Sequence, residues 1–301
     1  MIEPIASRSM QVRFAAALLL VMVTAFPAPA ASGDAEKSSF LWRVSSGDRS
    51  VYLLGSIHFM KKDAYPLGAS IERAFDRAGM VVFETDVDEL GGAAISLLSA
   101  GTLEGDATLA DVVPAELHEE LSRRLEDLGM DIGGFSKMKP WMVALSMTSV
   151  ELMRAGYLGS QGIDAYFSSR AKADGKPQRG LESIEFQVSL FAEMSEEESA
   201  DFLQYTLTEL DTMIPLVDDL VAAWRIGNSA KIEALLIDGF EGHEALFDRL
   251  VTERNIRWLP AIEELLKGDV DVMVVVGALH LVGDQGLIEL LKAKGYQVEQ
   301  M

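Results

Sequence analysis

The chain alternates between short, wholly apolar runs and longer stretches whose apolar residues return every three or four positions. "FLWRVSSGDRSVYLLGSIH", from Phe40 to His58, holds two β-prone runs around Ser46-Gly47-Asp48 and reads as a hairpin. A helical pattern follows from Ser70 to Ala78, with Ile71, Ala74, Phe75 and Ala78 on one face and Gly79 as its stop. "MVVFETD" is then a continuous apolar run that ends in charge at Glu84 and Asp86, the pattern of a strand covered on both faces. The order at the start is therefore β, β, α, β.

From about Leu90 to Lys267 the pattern is mostly helical. Pro140 sits where a first-turn proline is tolerated, and Gly156 and Gly175 close two segments. Ser195-x-x-Glu198 is a capping box, and the acidic turn at Glu196 to Glu198 reads as compensation of a helix dipole rather than a metal site. Within this block "KPQRGLES" is a short strand-like piece ending at Glu182. The C-terminal "DVDVMVVVGALHLVGDQGLIELLKAKGYQVEQM" gives a buried strand, a glycine turn, a helix from about Gly286 to Lys294 and a last strand from Tyr296. These elements predict an α/β fold: a central mixed, largely parallel sheet in two halves, with a large helical middle section.

The N-terminus has a different pattern. Arg8 and Arg13 form a basic region, Phe14 to Phe26 an apolar one, and Ala28-Pro29-Ala30 a small-x-small cleavage site. Residues 1–30 are thus expected to be a secretory signal peptide cut after Ala30, leaving one domain over 31–301 that is exported to the periplasm or beyond. The apolar run is short for a spanning helix and ends at Pro27 and Pro29, and no later segment is long and apolar enough to span.

Composition narrows the chemistry. The 301 residues carry a net charge of −21, which disfavours nucleic acid and anionic membrane surfaces as partners. The absence of cysteine removes disulfides, thiolate metal sites and a cysteine nucleophile. Any metal must be held by His, Asp, Glu or backbone oxygen.

Two of the four histidines share one context. "VYLLGSIHFM" lies over "MVVVGALHLV", an apolar strand followed by Gly55-x-x-His58 in one and Gly277-x-x-His280 in the other, a weak internal repeat. A glycine at a strand's end permits positive φ, or close approach of a ligand or neighbouring chain. The histidine beyond it points outside the carboxyl ends of the strands, where open α/β sheets hold ligands. Glu84 and Glu182 end two further strands, so two imidazoles and two carboxylates converge if the strands are parallel neighbours. Two imidazoles and a carboxylate suit Zn, Mn, Co or Fe(II), with a second carboxylate as base; each histidine alone also suits a hydrogen-bonded core or turn position. Arg254 offers a fixed charge to a carboxylate or an oxyanion, or else is a surface arginine paired with Glu253 or Asp248. His118 and His243 lack the strand-glycine context and read as surface residues. No G-x-S-x-G elbow or Walker loop occurs.

From "FLWRV" and "VYLLGSIH" through "VVFETD", "KPWMVALS", "GIDAYF", "GKPQRGLES" and "LVTERNIRWLPAIEELL" to "VMVVVGALHLVGDQGLIELLKAKGYQVE", the chain resembles the TraB/GumN family, bacterial relatives of the TIKI Wnt-inactivating proteases. The resemblance implies an α/β fold with two G-x-x-H halves, related to the erythromycin-esterase and haem-binding ChaN groups. It implies that His58, Glu84 and His280 line the site as metal ligands, and that Glu182, Arg254 and Asn255, which match further motifs, are catalytic, with Glu182 as base or orienter and Arg254 polarising a substrate carbonyl. The expected activity is an exported, Mn-, Co- or Zn-dependent hydrolase, a peptidase acting on a peptide or protein. The alternatives are a haem or small-ligand binding protein without turnover, and a metal-independent esterase with histidine as base.

Overall fold

The structure, a computed structural model, describes residues 39–47, 49–86 and 90–301. The expected signal peptide and Asp48 of the hairpin turn lie outside the described residues. In chain order the elements are β1 (Leu41–Ser46), β2 (Arg49–Ser56), α1 (Ala69–Arg77), β3 (Met80–Thr85), α2 (Leu90–Ala100), α3 (Leu109–Val112), α4 (Ala115–Asp127), α5 (Pro140–Arg154) and α6 (Ile163–Ala173). Then follow β4 (Gln178–Glu182), α7 (Ile184–Ala192), α8 (Glu196–Arg225), α9 (Ser229–Leu236), α10 (Glu244–Phe247), α11 (Glu253–Leu265), β5 (Val272–Gly277), α12 (Leu287–Ala293) and β6 (Gln297–Gln300).

The six strands form one mixed sheet in the order β4-β3-β5-β2-β1-β6. β4, β3, β5 and β2 are mutually parallel, while β1 pairs antiparallel with β2 and with β6. The expected α/β fold with a largely parallel sheet is therefore what the chain adopts. Continuous apolar runs occupy the covered centre: every residue of β5 is buried, as are Val51 to Ser56 of β2 and Val81 to Thr85 of β3. One buried apolar cluster takes residues from the sheet and the helical section alike, from Phe40 to Leu291.

The local signals act as their chemistry requires. Ser195 and Glu198 cap α8 reciprocally, Pro140 is the first residue of α5, and Gly156 and Gly175 take φ of +84° and +66° after their helices. The two glycines of the G-x-x-H pair behave differently. Neither Gly55 nor Gly277 has positive φ; Gly277 sits at φ −50°. Of the two reasons expected for a glycine there, close approach is the one that applies to Gly55, since a Cβ on it would overlap the Phe40 ring. His118, within α4, and His243 are half-buried, and His243 packs edge-on against Tyr205.

Sheet order positions the site. The four strands whose ends bear Glu182, Glu84, His280 and His58 are four consecutive parallel neighbours. The two halves of the repeat are adjacent, with Gly55 opposite Val276 and Ser56 opposite Gly277, a register offset of one residue.

Candidate functional site

His58 lies two residues beyond β2 and is buried, with 8% of its surface exposed. Its Nδ1 is 2.7 Å from Oδ1 of Asp164, which also accepts from the Ser56 hydroxyl at 2.7 Å. Asp164 belongs to the first turn of α6, and the "GID" that opens that helix explains how it reaches β2. A Cβ on Gly162 would collide with the backbone carbonyl of His58, so only glycine lets the two chains approach this closely. The Ile163 amide then donates to the Ile57 carbonyl at 3.1 Å, fixing the helix start against the strand end. Burial pushes the Asp164 carboxyl up, but His58 and the Ser56 hydroxyl outweigh it and hold Asp164 below the ordinary carboxylate range. A charged carboxylate can only accept, so Nδ1 of His58 carries the proton and donates it. Nε2 of His58 is buried with no hydrogen-bond partner, 3.9 Å from Oε1 of Glu84. Burial pulls His58 down, yet Asp164, with Glu84 behind it, raises it above the usual histidine value.

The second histidine is its opposite. His280 is fully buried in the short turn after β5, and Nδ1 lies 2.7 Å from Oδ1 of Asn255. The Asn255 amide nitrogen donates to the carbonyls of His280 and Gln285, at 3.2 and 2.8 Å, which fixes Oδ1 as the acceptor from the imidazole. Nε2 of His280 therefore bears a lone pair, and it receives an N–H of Arg254 at 3.0 Å. Burial, with the Arg254 charge beside it, holds His280 well below its usual value and keeps it neutral.

Arg254 joins the cluster's remaining parts. It is 3% exposed and extends from α11 just after a π-helical turn at Asp248–Thr252. Nη2 donates to Glu84 Oε2 and, at 2.7 Å, to Glu182 Oε1; Nε donates to the same Glu182 oxygen at 3.0 Å. Nη1 donates to the Leu250 carbonyl and to His280, each at 3.0 Å. All five guanidinium N–H groups are thus committed. Of the two expected readings, pairing with a carboxylate is the geometry found; no N–H is left for a substrate oxygen, and Glu253 and Asp248 are not its partners. Burial opposes the charge, but Glu84 and Glu182 outweigh it and keep Arg254 charged. Trp258, one turn along α11, faces the guanidinium at 4.6 Å and donates its indole N–H to Glu182 at 2.8 Å.

Glu84 is equally held: Oε2 also receives Gln187 at 3.0 Å, and Oε1 receives the Gly277 amide at 2.7 Å. The structure thus brings together all six residues singled out in the sequence. Two more were not legible as site residues. Asp164 stands 106 positions from His58, in a first turn where an acid reads as dipole compensation. Gln187 has no local signal, being a helical glutamine one turn after the Ser183 N-cap of α7.

The chain matches the TraB/PrgY/gumN family model over residues 40–300. The chain belongs to the TraB/PrgY/gumN family. Within it the chain is 26% identical over 246 residues to the Uncharacterized protein YbaP of Escherichia coli, covering 82% of this chain and 89% of that one. It is 22% identical over 318 residues to Metalloprotease TIKI2 of Danio rerio, covering 88% of this chain and 61% of the relative, and 22% identical over 317 residues to Metalloprotease TIKI1 of Homo sapiens, with shares of 88% and 62%. No solved structure matches the chain.

The metalloprotease names among its relatives raise the question whether His58, Glu84 and His280 can hold an ion. Their nearest atoms are close enough, with both Nε2 atoms 3.9 Å from Oε1 of Glu84. The donor set nevertheless does not fit in this arrangement. The lone pair of His280 is directed at an arginine N–H, and that guanidinium places a fixed positive charge at the same point. Among the described residues no group of three or more His, Asp or Glu side chains is arranged to take a metal ion.

Proposed function

We propose that this protein is a hydrolase in which His58 activates water and Asp164 holds it for that task. The observation that supports this reading best is the asymmetry of His58: one nitrogen tied to a buried carboxylate, the other buried without a protein partner. Nδ1–H donation to Asp164 fixes the tautomer, so the basic lone pair is on Nε2. An oxygen about 2.8 Å from both Nε2 and Glu84 Oε1 would be oriented by both groups. Nε2 takes the water proton as the oxygen adds to the substrate carbonyl. Asp164 stabilises the imidazolium so formed, which then returns the proton to the leaving group. His280, Arg254 and Glu182 keep Glu84 in place and touch no reacting atom. The relatives Metalloprotease TIKI2 and Metalloprotease TIKI1 favour a peptide bond as the target. The basic, apolar and small-residue succession before Ala31 favours an exported protein.

A metal-dependent peptidase is the second reading, favoured by those same names. It requires Arg254 to withdraw from His280.

A panel of peptide amides and carboxylic esters, assayed with wild type, His58→Ala and Asp164→Asn, tests the first reading. Loss of about 10²–10⁴-fold in kcat for His58→Ala in a folded protein is expected, the usual contribution of a general base. Hydrolysis by wild type that persists unchanged in His58→Ala would contradict it.

A further inference from the structure

We propose that Arg254 takes the place of a metal ion in this site: its guanidinium is the resident cation that Glu84 and Glu182 share, and it locks His280 and keeps divalent ions out. The cluster poses the problem that metal sites usually solve. Two carboxylates and two imidazoles are gathered at neighbouring strand ends, and every one of these side chains is at most 9% exposed. Left unpaired, buried carboxylates would be strongly unfavourable, so the cluster needs a positive charge at its centre.

Arg254 supplies that charge and satisfies the donors' geometry at once. Its five N–H groups meet four acceptors, two carboxylates, one imidazole nitrogen and the Leu250 carbonyl, with none left over. The Leu250 carbonyl lies in the π-helical turn that precedes Arg254, so the helix itself grips the side chain it presents. Trp258 covers one face of the guanidinium. A divalent ion bound by His58, Glu84 and His280 would need the lone pair that His280 gives to Arg254, and would sit beside a cation of fixed position. His280 is correspondingly a positioning residue: its other nitrogen is anchored by Asn255, which is anchored in turn by two carbonyls. The order Asn255, His280, Arg254, Glu84 is a continuous chain of donors and acceptors that ends beside the free nitrogen of His58.

The inference does not depend on turnover, and its test is a binding measurement that stands or falls apart from the hydrolase assay. The full chain, purified without a histidine tag and treated with chelator, is titrated separately with Mn²⁺, Co²⁺ and Zn²⁺ by calorimetry and equilibrium dialysis, alongside His58→Ala and His280→Ala. The expected result is no ion in wild type whose binding is lost in both variants; an ion that survives both substitutions lies elsewhere on this acidic chain and agrees with the proposal. One equivalent bound by wild type and lost in both His58→Ala and His280→Ala would overturn it. Arg254→Met adds a gain-of-binding arm: if it folds, affinity for at least one of the three ions rises by about tenfold or more, and this gain disappears in Arg254→Met/His280→Ala. A folded Arg254→Met with unchanged affinity would show that the guanidinium is not what excludes the ion. Should that variant fail to fold, the wild-type titration decides alone.

Discussion

His58 and His280 show how far two residues of one motif diverge once their partners differ. Burial lowers both; Asp164 outweighs it at the first and Arg254 adds to it at the second, and opposite pH dependences follow. His280 is neutral when folded and takes a proton near its ordinary value of 6.5 when unfolded. The unfolded state therefore binds more protons below that pH, and the stability His280 confers is present above it and is lost as pH falls. Chemical denaturation of His280→Gln should accordingly show a flatter stability profile than wild type between about pH 5 and 7; an unchanged slope would contradict a locked neutral imidazole. His58 has the reverse sign, its contribution being complete below 6.5 and lost as pH rises through its raised folded value. As a base His58 must be neutral, so the rising limb of kcat/KM lies above the ordinary histidine value. Asp164→Asn removes the group that raises His58, leaving burial to dominate, so this limb moves to lower pH while kcat falls. A limb that stays in place would separate Asp164 from the chemistry. For Arg254→Ala, two buried carboxylates lose their partner, and unfolding measurements should register a cost of about 3–5 kcal/mol.

At the scale of elements, the strand ends were legible and the helix that completes the site was not. Apolar runs ending in Gly-x-x-His or in Glu announce covered strands and place their last residues at one edge, and the parallel order of β4, β3, β5 and β2 unites them. Asp164 was hidden because tertiary packing brings only the first residues of α6 against the end of β2, and nothing in the local pattern of "GIDAYF" encodes which strand end the helix start meets. Arg254 and Asn255 were legible as residues of interest, but their burial was not, since "TERNIR" has the charge density of a solvated helix face. Gly162 is where the packing can be tested. Gly162→Ala sets a methyl against the His58 carbonyl, so α6 must shift and Asp164 with it. Overpacking of this kind costs about 1–3 kcal/mol, and the variant should also lose the pH signature of His58. Retention of both would mean that the close approach is not what seats Asp164.

Across the whole molecule, family membership, sheet order and the apolar cluster that joins sheet and helices agree with the expected α/β fold. No helix among the described residues is long and apolar enough to cross a membrane. If the N-terminal pattern acts as a signal, protein recovered from outside the cytoplasm begins at Ala31 on N-terminal sequencing; a start at Met1 in that fraction would refute the cleavage. The two histidines divide the labour of the site, and that division can be read without a substrate. Imidazole ¹⁵N NMR of the full chain over pH 4 to 9 reports the tautomer and titration of each ring in the same sample. His58 should hold its proton on Nδ1 when neutral and titrate above 6.5, while His280, also protonated on Nδ1, should not titrate until far below it. A depressed His58, or a His280 that titrates as an ordinary histidine, would mean that the two rings are not divided into a base and a locked neutral anchor.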